Sequence, residues 1–296
     1  MLLSNKTVVL GITGGIAAYK MPNVAHALVK LGADVHVLMT KNATEFISPL
    51  VFETLTRRRC QVDTFDRNFQ YDVAHISLAN AADLMLIAPA TANVIAKLAH
   101  GQADDMLTTV TLAATCPKLV APAMNTHMLE NPITQDNLKT LEHYGFTVIP
   151  SGSGMLACGD VGSGRLPDEG VLVDYVLREL ACAKDLKGKK VVVSAGATQE
   201  PMDRALPDEP LHRQDGYAVA RACMLRGADV TLLASTGCTL PPVPFVKTVP
   251  FTTAADLFEA VKQTPWTLTP SSWPPPWPTT ARPLSPRTRS KSTTAR

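Results

Sequence analysis

A few short stretches hold the residue types that can do chemistry in this chain. In "GMLACGDVGSGR" (154–165) a thiol, Cys158, stands among glycines, with Asp160 close by and Arg165 beyond. A cysteine given so little to pack against is a liability unless its reactivity is used, and the glycines point to a mobile flap that can close over a ligand. "APAMNTHM" (121–128) ends an apolar run with Asn125, whose amide can hold a carboxylate or cap a helix. "GITGGIAAYK" (11–20) puts Thr13-Gly14-Gly15 where a strand turns into a helix, so a hydroxyl and backbone N–H groups face a helix N-terminus, a ready anion site. The stretch is not Gly-x-Gly-x-x-Gly, which weakens a dinucleotide reading. Thr40 ends the next apolar run and offers another hydroxyl, and "APATAN" (88–93), with Thr91, lets a flat ligand approach the backbone. His75, in "YDVAHISLANAADL" (71–84), reads on its own as a structural histidine among apolar neighbours.

Placing these stretches at the ends of strands requires a particular set of elements. β-branched and aliphatic runs at 7–12, 33–40, 83–90, 117–124 and 146–150 alternate with helical patterns at 16–31, 91–101 and 131–144. The strand runs are continuously apolar rather than alternating, as in a parallel sheet with helices on both faces. In such a sheet ligands bind outside the carboxyl ends of the strands, where the loops of Thr13, Thr40, Thr91 and Asn125 fall.

A helix at 170–182 and a charged connection lead to a new strand at 191–198, and the pattern starts again. "ALVKLGADVHVLM" (27–39) and "ACMLRGADVTLLA" (222–234) are near copies of one helix–turn–strand unit. The fold class expected is therefore α/β: a Rossmann-like (flavodoxin-like) doubly wound parallel sheet, followed by an incomplete second Rossmann-like domain. The expected division is 1–184, 185–265 and a tail, 266–296, with all three tryptophans, no acid and a proline density that no helix or central strand accepts.

Composition narrows the function classes. With 296 residues, 46% of them hydrophobic, the chain can bury a large core, and a formal net charge of only +2 gives no reason to expect nucleic acid as a partner. The 6 cysteines lie far apart with no Cys-x-x-Cys pair, against both a disulfide framework and a structural metal, so a cytoplasmic protein without metal is expected. No apolar run approaches about 20 residues, so no membrane span is expected either.

Together, "GITGGIAAYK", "AHISLANAADLMLIAPATANVIAK", "APAMNTHM" and "GMLACGDVGSGR" resemble the flavin-dependent cysteine decarboxylases, in particular the N-terminal half of the bacterial bifunctional phosphopantothenoylcysteine decarboxylase/phosphopantothenate–cysteine ligases of coenzyme A synthesis. The resemblance covers residues 6–182. It implies a homotrimer binding FMN between subunits, with cofactor contacts from Thr13, Gly14, Gly15, Ile16, Thr40, Ala88, Pro89, Ala90 and Thr91. His75 then corresponds to the histidine that assists oxidation of the substrate's cysteine moiety, Asn125 to the ligand of the departing carboxylate, and Cys158 to the proton donor of the reductive half-reaction. Met128 and Arg165 would contact the substrate, 4′-phosphopantothenoylcysteine, and Arg165 would hold the flap. One departure is "GRLPDEG", where the family usually has a Glu-Pro pair soon after the arginine.

The second half resembles the ligase domain in pieces: "VVVSAGATQEPMD" (191–203) and "GYAVARACMLRGADVTLLAS" (216–235) match, whereas "RALPDEPLHRQD" (204–215) replaces the family's loop ending in Gly-Lys-Met-Gly. Codons exist for "ALPDEPLHRQDG" (205–216) and for "WPPPWPTT" (273–280) that restore family-like sequence in a shifted frame, so both are expected to be translated out of frame. The ligase half, which in the family uses CTP and Mg2+, is then expected to be truncated and inactive. Two other readings remain: a related flavoenzyme, such as a peptidyl-cysteine decarboxylase or flavin prenyltransferase, and a noncatalytic flavoprotein acting as a binding or regulatory subunit.

Overall fold

Aliphatic runs with no polar face fit only a sheet covered on both sides, and the first strands of the chain lie in one. In a computed structural model, which describes residues 1–63, 74–155, 159, 161–198, 211–238 and 240–264, β1 (Thr7–Ile12), β2 (Asp34–Met39), β3 (Leu84–Ala90), β4 (Lys118–Pro122) and β5 (Phe146–Val148) form a parallel sheet. Its order is β2-β1-β3-β4-β5, and β3 is buried at every residue.

The helices of this part are α1 (Met21–Lys30), α2 (Pro49–Thr56), α3 (Ala74–Ala81), α4 (Ala92–Ala99), α5 (Met106–Ala113), α6 (Thr126–Glu130), α7 (Pro132–His143) and α8 (Glu169–Leu180). On one face of the sheet Leu10, Val37 and Leu86 pack with Val24 and Leu28 of α1 and Leu172 and Val176 of α8. On the other, Val9, Leu38 and Ile87 pack with Leu78 of α3, Ile95 of α4, Leu107 of α5 and Leu141 of α7.

The helix expected from residue 16 opens as a 3-10 turn, Ile16–Lys20, and becomes α-helical only at Met21. Gly15 supplies no side-chain cap, and Pro22 lacks the N–H whose absence costs nothing in a first turn. Three helices that sequence periodicity does not mark, α2, α3 and α5, fill the connections. Ser48 caps α2, and a reciprocal Asp105–Thr108 pair caps α5.

The glycine-rich stretch departs from expectation. Its described part is an antiparallel ribbon, β6 (Gly152–Met155) against β7 (Val161–Arg165), docked on the loop after β4. The glycines of β7 serve close approach rather than mobility. A Cβ on Gly164 (φ +115°) would stand 2.2 Å from the Met124 carbonyl oxygen, and one on Gly162 2.5 Å from Thr126 Oγ1.

A second parallel sheet follows, β8 (Lys190–Ala195), β9 (Asp229–Ser235) and β10 (Lys247–Phe251) in the order β10-β9-β8, with helices α9 (Leu211–Leu225) and α10 (Ala254–Gln263). The repeated sequence unit is the end of α1 leading into β2 and the end of α9 leading into β9. Ala220 and Met224 of α9 and Leu232 of β9 continue the apolar cluster that contains α8. The tail expected at 266–296 and most of the divergent stretch 204–215 lie outside the described residues.

Candidate active site

The strand order turns between β1 and β3, and the carboxyl ends of those strands flank the crevice where an open α/β sheet binds its ligand. Thr13 stands there, fully buried, and its hydroxyl joins the two strand ends: it donates to the Pro89 carbonyl at 2.6 Å and accepts from the Thr91 N–H at 3.1 Å. Thr91 also caps α4, its Oγ1 accepting from Val94 N. Ala88 and Ala90 are fully buried and put no long side chain at this strand end.

Gly14 lets the next loop close in, since a Cβ there would lie 2.5 Å from that of Asn42. Ile16 is exposed beside it. Thr40 follows β2; its amide donates to the Ile12 carbonyl at 3.0 Å, while its buried Oγ1 has no hydrogen-bond partner among the described residues.

After β4 comes Asn125, whose Oδ1 accepts from His127 N at 2.9 Å and so caps α6. The cap is the simpler of the two roles its sequence allows. It also fixes the amide, directing its oxygen to the helix. The ribbon is fastened to this loop: Met124 N donates to the Gly164 carbonyl at 3.0 Å and Thr126 Oγ1 to the Ser163 carbonyl at 2.7 Å. Arg165, at the end of β7, reaches to 3.6 Å from Asp168, and Met128 is half exposed on α6. Cys158, between β6 and β7 in the sequence, lies outside the described residues.

His75 is half-buried in the first turn of α3, a helix that the sequence reading did not place. Thr13, Thr91, Asn125 and the ribbon are thus linked by hydrogen bonds through neighbouring strand ends, while no described bond ties His75 to them. Sequence reasoning missed Asn42 and Thr126, whose contacts with glycines shape the site. Thr126 sits inside a quoted motif, but its role depends on a ribbon that the motif does not reveal.

The flavoprotein family model matches residues 2–181. The chain belongs to the flavoprotein family. Residues 186–267 of this flavoprotein match the DNA/pantothenate metabolism flavoprotein C-terminal domain. The coenzyme A biosynthesis bifunctional protein CoaBC of Bacillus subtilis (strain 168) is 42% identical over 264 residues, 88% of this chain and 65% of that protein. Its counterpart from Escherichia coli (strain K12) is 40% identical over 263 residues, 88% of this chain and 64% of that protein. The chain therefore spans somewhat less than two thirds of the length of these relatives. Among solved structures, a PPC decarboxylase with a cysteine-to-serine change, complexed with pantothenoylaminoethenethiol, aligns with a TM-score of 0.52 and 32% identity over 58% of this chain and 96% of that one. The FMN binding protein AtHal3 aligns with a TM-score of 0.51 and 33% identity over 58% and 95%.

The residues present fit a flavin mononucleotide. The short side chains at the ends of β1 and β3 suit a flat ring, and the unpartnered hydroxyl of Thr40, whose amide bonds to the end of β1, suits a phosphorylated polyol.

Proposed function

We propose that this flavoprotein decarboxylates 4′-phosphopantothenoylcysteine to 4′-phosphopantetheine with FMN as cofactor. The observation that carries the reading is the likeness to the PPC decarboxylase, 32% identical and extending over 96% of that chain. When bound, FMN supplies the oxidising and then the reducing equivalents of the reaction. Thr13, Gly14, Gly15, Ile16, Thr40 and residues 88–91 would hold it.

The side chains then have separate tasks. His75 takes a proton as the substrate's cysteine moiety is oxidised to a thioaldehyde, which places an electron sink beside the α-carbon. Asn125 holds the carboxylate until carbon dioxide leaves and an enethiol remains. Cys158 gives its thiol proton to the enethiol carbon that carried the carboxylate while the neighbouring sulfur-bearing carbon is reduced, which is why a thiol stands in this stretch. Met128 and Arg165 border the substrate from α6 and β7.

The division of the chain follows: residues 1–184 carry this reaction, 185–265 form a partial ligase-like domain and 266–296 a separate tail. Ligation of phosphopantothenate and cysteine with CTP and Mg2+ is proposed to be lost, because "RALPDEPLHRQD" stands where the family has its Gly-Lys-Met-Gly loop. A homotrimer is proposed on the support of exposed apolar side chains near the site, Ile16, Tyr19 and Leu50 among them. Among the described residues no helix is long and apolar enough to cross a membrane, in keeping with a cytoplasmic location.

A second reading draws on the FMN-dependent cysteine decarboxylase SpaF, 31% identical with a TM-score of 0.51. The higher identity to CoaBC and the match of residues 186–267 favour the coenzyme A precursor. Offering the FMN-loaded protein phosphopantothenoylcysteine or a peptide with a C-terminal cysteine separates the two. Product from the first alone is the expected outcome, and product from the peptide alone would replace this reading by the second.

A further inference from the structure

Two buried side-chain oxygens have no hydrogen-bond partner among the described residues, Thr40 Oγ1 and Gln61 Oε1. Thr40 belongs to the cofactor reading. Gln61 has no part in it. Because a buried carbonyl without a donor is destabilising, a fold that keeps one usually has a donor for it in the working protein.

Gln61 extends the first sheet by a single residue. It pairs with Leu38, its N–H donating to the Val37 carbonyl at 3.0 Å and its carbonyl accepting from Met39 N at 2.9 Å. Paired residues of neighbouring strands point to the same face. Leu38 belongs to the cluster under α3 and α5, whereas Cys60 and Val62, on either side of Gln61, pack into the opposite cluster. The Gln61 side chain therefore enters the layer between the sheet and helices α3 and α5, near the carboxyl end of β2.

Few donors face that layer. On α5 the buried hydroxyls are already engaged, Thr108 with Asp105 and Thr111 with the Leu107 carbonyl at 2.7 Å, and no residue of the helix is titratable. On α3, Ser77 and Asn80 are exposed. His75 precedes the buried Leu78 and Ala79 by three and four residues, so it shares their stripe, one turn nearer the carboxyl end of the sheet. Among the described residues its ring makes no hydrogen bond. The other charged groups bordering the layer are engaged or outside it: Asp105 with Thr108 and Lys97, Asp34 with His36 and Arg58 at the far end of β2, and Asp63 exposed.

We propose that Gln61 is a positioning residue for His75: Oε1 accepts from one imidazole N–H, directly or through one water, and leaves the other ring nitrogen to take the substrate's proton. What His75 does in this scheme rests on the decarboxylase reading; how its ring is held does not. A neutral amide suits the task. It fixes tautomer and orientation without the pull of a carboxylate toward imidazolium.

The test uses the FMN-loaded full chain with Gln61→Met and Gln61→Glu. Ring-nitrogen NMR of His75 is followed across pH, together with the anaerobic rate of flavin reduction by phosphopantothenoylcysteine. Gln61→Met is expected to change the tautomer balance and slow reduction about 10-fold with FMN content and KM unchanged. Gln61→Glu is expected to move the His75 titration and the acid limb of the rate profile upward by about one pH unit, because the added carboxylate stabilises the protonated ring and the basic form then appears only at higher pH. Unaltered His75 spectra in both variants would overturn the inference, whatever the rates. Altered spectra in a protein whose wild-type flavin is never reduced by substrate would sustain the positioning role and defeat the decarboxylase reading instead.

Discussion

The two parallel sheets share one strand–helix–strand logic but differ in what covers them. The first has an apolar cluster on each face, and its central strand β3 is buried throughout. The second is backed by α9 on one face, while on the other α10 contributes no buried residue and leaves Phe258 59% exposed. There Val192, Thr231 and Val249 border a cavity of about 560 Å3 that also admits Lys190, Lys247, Asp256 and Glu259. The second sheet is steadied by the first through α8. Arg221 pairs with Asp174 at 3.0 Å, and Phe245 meets the Tyr175 ring edge-on with centroids 4.5 Å apart. A site that must hold a cofactor and a substrate in register needs rigid strand ends, and among the described residues only the doubly covered sheet provides them.

The largest expected effect falls on the site of the first sheet. His75→Asn should retain FMN yet reduce it with substrate at least 100-fold more slowly, as loss of a general base does. Stopped-flow bleaching at the wild-type rate would remove His75 from the mechanism. Next comes the ribbon, where Gly164→Val pushes a side chain into the Met124 carbonyl from a left-handed backbone position. Urea unfolding should register about 3 kcal/mol of destabilisation, with turnover lost, and a silent substitution would mean that the ribbon is not docked as described.

A matched pair of truncations addresses the comparison itself. Leu86→Ala, inside the covered sheet, should cost about 3 kcal/mol, whereas Phe258→Ala on α10 should change stability by less than about 0.5 kcal/mol. Equal losses would mean that α10 buries its apolar face in the working protein.

The smallest effect concerns a buried thiol of the first core. Burial, with the Glu53 carboxylate adding to it, pushes Cys60 up to about 12. Because the folded value is raised, the stability this thiol contributes is full below its ordinary titration range and is lost as pH rises through the folded value. Cys60 should thus resist a thiol-specific reagent in the native protein at pH about 9 and react once urea is added, since only the thiolate attacks. Fast native labelling at Cys60, located by mass spectrometry, would contradict its place in the core.

Much of the first sheet was legible in the sequence because continuous aliphatic runs have few alternatives to a covered parallel strand. The runs expected at 7–12 and 83–90 are β1 and β3 to within a residue. The motif loops were legible for a related reason: each follows a strand, and their small residues and hydroxyls mark the carboxyl edge. The ribbon was not. Its glycines signal freedom when read locally, and only the packing of Met124 and Thr126 turns them into a requirement for contact. Helix α3 escaped because "AHISLANA" has little periodicity, and Gln61 because a one-residue bridge to Leu38 leaves no trace in a local pattern. Asn125 reads both ways in sequence, and of its two roles the structure shows the cap.

The most direct test of the central claim is carbon dioxide release by the FMN-loaded protein supplied with phosphopantothenoylcysteine and no other reductant or oxidant. The account predicts one carbon dioxide and one phosphopantetheine per substrate, with the flavin returned to its oxidised form after each turnover. A protein that binds FMN but releases no carbon dioxide from this substrate would contradict it.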